Sequence, residues 1–185
     1  MPEFTYLPAA GRGPNDLTTR LSVACQDAMA TLELKWRHRP GLGRGAPSGI
    51  ATERWHLDFL VDGRSLYDLL KVDQRDLVGV LGWGGMEANR AARHQLLGSV
   101  PAAADSGRRP IFVCPECGGL GCGAITVQVQ HPGGNVEWRD FAYENNYDGS
   151  MADTTAFASV GPFRFAADAY RRALETAPIE RGAQA

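Results

Sequence analysis

No apolar run in the 185-residue chain approaches the ~20 residues that a membrane-spanning helix needs, so a membrane role is not expected. Met1-Pro2-Glu3-Phe4 opens without a basic leader and apolar core, and the sequence therefore reads as that of a cytoplasmic protein. Charge of one sign is also missing: 19 Lys and Arg stand against 21 Asp and Glu, a net charge of -2. Such a balance gives no field to recruit nucleic acid or an anionic membrane, and neither is expected as a partner.

Several catalytic signatures are absent too. The glycine-rich stretch 41–49 does not end in Gly-Lys-Ser/Thr, so it is a flexible loop rather than a phosphate cradle. His38, His56, His94 and His131 fall singly, never at the i, i+4 spacing that lets two imidazoles grip one ion on a helix. Without a Gly-x-Ser-x-Gly elbow, a hydrolase has no support.

What the chain does have is Cys114-Pro115-Glu116-Cys117-Gly118-Gly119-Leu120-Gly121-Cys122-Gly123, three cysteines in nine residues between two strand-like runs. In a Cys-x-x-Cys knuckle the glycine after the second cysteine frees the backbone to turn its amides toward sulfur while both thiolates converge on one ion. Cys122 supplies a third sulfur. In a cytoplasmic protein such clustered thiols are reduced, metal-bound or redox-active rather than locked in disulfides. Zinc is the expected ion. Structural zinc takes four ligands, and no second Cys-x-x-Cys is present, so the last must come from elsewhere.

Cys-Pro-x-Cys-x-Gly-x-Gly, residues 114–121, resembles the zinc-binding repeat of the DnaJ co-chaperone family, which pairs several such repeats where this chain has one. No co-chaperone function is carried over. Together with Gly161-Pro162-Phe163 and the run Tyr143 to Asp148, the segment also resembles an uncharacterised actinobacterial family loosely labelled oxidoreductase, over residues 110–175. That label implies no mechanism.

Length and 44% apolar content suit one domain able to bury its own core. Residues 1–16 read as an irregular arm, 17–177 as a single domain with its Cys-rich hairpin at 111–146, and 178–185 as a disordered tail. Leu21, Val23 and Cys25, then Leu32, Leu34, Trp36 and His38, alternate as strands do, with Gln26-Asp27-Ala28 as a turn; a helix over 17–30 is the alternative. Trp55 to Val61 is a strand closed by Asp62-Gly63, and Ser65 caps a short helix through Leu70. A buried connection at 76–84, a helix over Glu87 to Leu97, a surface loop from Gly98 to Pro110, a strand over Ala124 to Gln130, a last strand at 161–165 and a helix over Ala167 to Thr176 complete the reading. The fold class is α+β, a mostly antiparallel sheet with helices on one face.

With Gly133 and Gly134 as the two residues of a hairpin turn, His131 opposes Val136, and counting outward sets Cys122 opposite Asn145. The cysteines then share an end of the sheet with Glu144, Asn145, Asn146 and Asp148, whereas His131 lies about nine residues of strand away. Asp148 or Glu144 is the better-placed fourth ligand beside Cys114, Cys117 and Cys122, and of the two Asp148 is taken, with Cys25 and His56 as further candidates. Glu137 and Asp140 read as solvent-facing strand residues, and the tryptophans as core.

The expected function is a small binding or interaction protein with a zinc-stabilised hairpin, a protein partner and no identified catalysis. Two alternatives remain. One is a thiol-disulfide oxidoreductase in which Cys114 attacks and Cys117 or Cys122 resolves. Glycines after the knuckle argue against the thioredoxin arrangement, where Cys-x-x-Cys opens a helix. The other is a regulatory or immunity-type protein acting by surface complementarity, which would leave no motif.

Overall fold

Alternation of polar and apolar residues draws the chain into two antiparallel sheets. The computed structural model describes residues 28–41, 51–145 and 152–179. Strand β1 (Leu32–Arg39) pairs with β2 (Arg54–Val61), which turns into the two-residue β3 (Arg64–Ser65). Asp62 and Gly63 at the turn have φ of 50° and 74°, the left-handed pair that a tight hairpin needs. Ser65 then caps α1 (Leu66–Leu69), its hydroxyl accepting from the Asp68 N–H at 3.1 Å as the sequence predicts.

The second sheet runs β4 (Val78–Gly79), β5 (Arg109–Val113), β6 (Ala124–Gln130), β7 (Asn135–Glu144) and β8 (Phe163–Ala166), neighbours in that order. Its β4 end joins the first sheet. Val78 and Gly79 pair with Val113 and Phe112 of β5, while on the other side the Leu57 N–H of β2 donates to the Leu81 carbonyl at 2.8 Å. Gly79 allows this approach, because a side chain there would run into the Leu57 carbonyl. The expected surface loop ends early, since Arg109 and Pro110 already belong to β5.

Helices α2 (Met86–Leu97) and α3 (Ala167–Glu175) pack on the sheets and on each other. Tyr170 of α3 is their clasp. Its hydroxyl donates to the Leu96 carbonyl at 2.8 Å and accepts from Trp138 Nε1 at 3.0 Å, in a core where Trp138 meets Phe59, Phe165 and Tyr170 edge-on. Trp138 is fully buried as expected, whereas Trp36, Trp55 and Trp83 are half-buried.

Two expectations fail in β7. The β6–β7 register is the predicted one from Gln130–Glu137 to Gln128–Arg139, then slips by one residue, so that Ala124 faces Glu144. A bulge around Asp140, whose φ is 51°, inserts the extra residue. Cys122 therefore does not oppose Asn145; it lies before β6 begins. Glu137 is not solvent-facing either, being buried and held at 2.7 Å by Arg164 of β8. Leu21, Val23, Cys25 and the turn residues Gln26 and Asp27, the arm 1–16, most of the loop 41–49 and the tail from residue 180 lie outside the described residues.

Candidate metal centre

The loop 114–123 connects β5 to β6, and its backbone is shaped by glycine. Gly118, at φ 68°, donates its N–H to the Cys114 carbonyl at 2.9 Å and closes the knuckle, and Gly123, at φ 100°, donates to Leu120 at 3.0 Å to close the second turn. Only glycine fits at 123. The Tyr143 hydroxyl occupies the space where a side chain would start. The two turns bring Cys114, Cys117 and Cys122 together, with all three sulfurs within 4.8 Å of one another.

Inside this cluster the sulfurs are unequal. The Gly119 N–H points at Cys117 Sγ from 3.4 Å, and this bond, with those to Cys122 and Cys114, holds the Cys117 thiol below its ordinary pKa. Cys122 lies 3.6 Å from Cys117, sulfur to sulfur, and this contact, with that to Cys114, pushes its pKa up to about 11. Cys117 and Cys122 are exposed and Cys114 is half-buried at the end of β5. Three convergent thiols can hold a soft or borderline metal ion once deprotonated.

Residues in the first sheet and just before its β2 anchor the loop. Glu116 accepts from the Thr52 N–H at 3.0 Å, the Thr52 hydroxyl at 2.7 Å and Arg39 Nη1 at 3.3 Å. These bonds, the Thr52 hydroxyl's first, keep its carboxyl below the usual range. Arg39, at the end of β1, is itself held by both oxygens of Asp76, at 2.8 and 2.7 Å. Arg54 Nε donates to the Pro115 carbonyl at 2.9 Å, with its guanidinium over the Trp83 ring. Trp83 in turn lies beneath Gly118 and donates to Gly79. Asn89 of α2 latches the Gly82–Gly85 turn that carries this ring, accepting from Gly82 and donating to Trp83 and Gly85.

The further ligands expected from sequence fare differently. Asp148 and Cys25 lie outside the described residues. Glu144 does share the cysteine end of the sheet, but it is buried and engaged by Thr126 Oγ1 at 2.6 Å and Ser106 Oγ at 2.9 Å, beside Arg108, so it is a core carboxylate and not a ligand. His56 is also buried away from the cluster, its Nδ1 accepting from the Gly79 N–H at 3.0 Å. His131 packs against Gly98 at the far end, as predicted. Among the described residues no fourth Cys, His, Asp or Glu joins the three sulfurs.

Family models, curated proteins and solved structures give no match to this chain. The site's chemistry thus rests on its own geometry. Glu116 lies within the knuckle, yet Arg39, Thr52, Arg54, Trp83 and Asn89 carry no sequence signal that links them to it. The contacts of the first four with the loop span as many as 77 positions of chain, and Asn89 acts through Trp83.

Proposed function

We propose that the protein is a small non-catalytic binding protein whose Cys-rich hairpin is stabilised by zinc held by Cys114, Cys117 and Cys122, with Asp148 as fourth ligand. One observation carries the reading: three sulfurs converge within 4.8 Å. Zinc–sulfur bonds of about 2.3 Å in a tetrahedron set sulfurs about 3.8 Å apart, a spacing this loop reaches with small adjustments. The Gly119 N–H on the Cys117 sulfur suits a thiolate ligand, whose charge it would offset. Because metal binding to such a loop is folding free energy, the ion would hold the 114–123 loop as a fixed surface for a protein partner.

Cobalt substitution tests this reading. Intense tetrahedral d–d bands with sulfur-to-cobalt charge transfer, titrating at one equivalent and displaced by zinc, are expected. Octahedral cobalt spectra, or none above the free ion, would contradict it. The exposed Cys117 thiol with its lowered pKa favours a second reading, thiol-disulfide exchange with Cys117 rather than Cys114 as nucleophile. Disulfide reductase activity lost in Cys117→Ser would support that reading, and activity at the uncatalysed background would dismiss it.

A further inference from the structure

We propose that Cys117 and Cys122 form a hydroperoxide-sensitive pair whose oxidation to a disulfide releases the metal; the release step rests on the zinc reading above, whereas the pairing does not. The two sulfurs stand 3.6 Å apart, and both side chains are exposed. A disulfide bond is about 2.05 Å long, so the pair must close by roughly 1.5 Å. Gly118, Gly119 and Gly121 make up most of the four residues between them, and no strand or helix spans that tract.

Cys114 is differently placed. It follows β5 directly, is half-buried, and its carbonyl is bonded to Gly118. It is the sulfur fixed to the sheet, and the exposed pair is the one free to move. The loop's hydrogen bonds to Thr52 and Arg54 run through Glu116 and Pro115, outside the 117–122 tract, so closure of 117 on 122 leaves them in place, and Leu120, packed on the core, holds the middle of the tract.

The chemistry balances without a cofactor. The Cys117 thiolate attacks one oxygen of the hydroperoxide, an S–O bond forms as the O–O bond breaks, and the leaving oxygen takes a proton to become water or an alcohol. The Cys122 thiolate then attacks the Cys117 sulfur, forming S–S as S–O breaks, and the departing hydroxide is protonated to water. Two sulfurs lose two electrons in total, which the peroxide accepts. An ion that had three sulfur ligands keeps Cys114 as its one sulfur and is set free.

The test treats the zinc-loaded full chain with hydrogen peroxide. Zinc is followed with a chromogenic chelator, and cysteine pairing is read by mass spectrometry after alkylation of free thiols. The expected result is one zinc released per Cys117–Cys122 disulfide, with Cys114 still alkylated and zinc uptake restored by dithiothreitol. A disulfide that includes Cys114, sulfinic acid in place of a disulfide, or zinc retained after the pair has closed would overturn the proposal. In Cys122→Ser the disulfide should be lost and Cys117 should trap a sulfenic-acid reagent; no trapping there would count equally against it. The metal-free chain, treated in the same way, separates the two claims. If it forms the 117–122 disulfide but the chain never loads zinc, the metal reading has failed and the release step with it. If it loads zinc but never forms that disulfide, the present proposal alone has failed.

Discussion

Arg39, at the end of β1, reaches Glu116 inside the cysteine knuckle, with Nη1 3.3 Å from the carboxylate across 77 positions of chain. The same carboxylate takes both donors of Thr52, so one side chain ties the loop that holds the sulfurs to the opposite sheet. Anchoring the knuckle at Glu116 is what places the three cysteines of a glycine-rich tract at one defined point on the body.

Glu116→Ala removes this tie while leaving Arg39 its pair of bonds to Asp76. A stability loss of about 1 kcal/mol is expected in urea unfolding, because the lost bonds are partly exposed. Zinc stoichiometry should be unchanged and zinc affinity lower, as read by chelator competition. Unaltered affinity would show that the loop does not need its anchor.

Gly123→Ala should cost at least about 2 kcal/mol, since it combines a φ of 100° with a collision against the Tyr143 hydroxyl. Adding Tyr143→Phe removes the colliding oxygen but not the backbone strain, so thermal unfolding of the double variant should recover part of the loss. Full recovery would mean that the backbone at 123 is unstrained.

Burial lowers the pKa of His56 to about 4, with Arg37 and Arg39 adding repulsion, against a smaller raising effect of the Leu57 backbone. An unfolded histidine titrates near ~6.5, so between these values the unfolded chain holds the extra proton and falling pH favours unfolding. This contribution is fully present above pH ~6.5 and lost toward pH ~4, on the order of 3 kcal/mol in all. The buried Asp58, whose carboxyl is pushed up by desolvation, works in the opposite sense in the lower part of that window. Urea midpoints at neutral and mildly acidic pH should diverge less in His56→Gln, which cannot titrate; an equal pH slope would contradict the assignment.

Tyr170→Phe strips Trp138 Nε1 and the Leu96 carbonyl of their shared partner in the core. A loss of about 1–3 kcal/mol follows from leaving buried polar groups unpaired. Chemical unfolding followed by tryptophan fluorescence measures it, and a loss below this range would mean that water or a rearranged core replaces the hydroxyl.

Much of the α+β fold was legible because local rules govern it. Alternation defines β2 and β6, Ser65 caps its helix, and the Pro132–Asn135 turn sets the register of the first three β6–β7 pairs below it. What was not legible depended on distant partners or on residues outside their usual conformations. Asp140 adopts a left-handed backbone without being glycine, so nothing announced the bulge that moved Cys122 off the predicted pairing. Glu137 and Glu144 looked like surface or ligand carboxylates because Arg164, Thr126 and Ser106, which bury them, come from other segments. The sulfur cluster itself was readable from spacing; the Arg39, Thr52, Arg54 and Trp83 scaffold beneath it was not.

The most direct test of the account is elemental analysis with a free-thiol count on untagged protein purified without chelator, alongside Cys117→Ala. One zinc per chain, released when the thiols are modified and missing from the variant together with a lower melting temperature, is the predicted result. No bound metal and four freely titrating thiols in the native chain would contradict it.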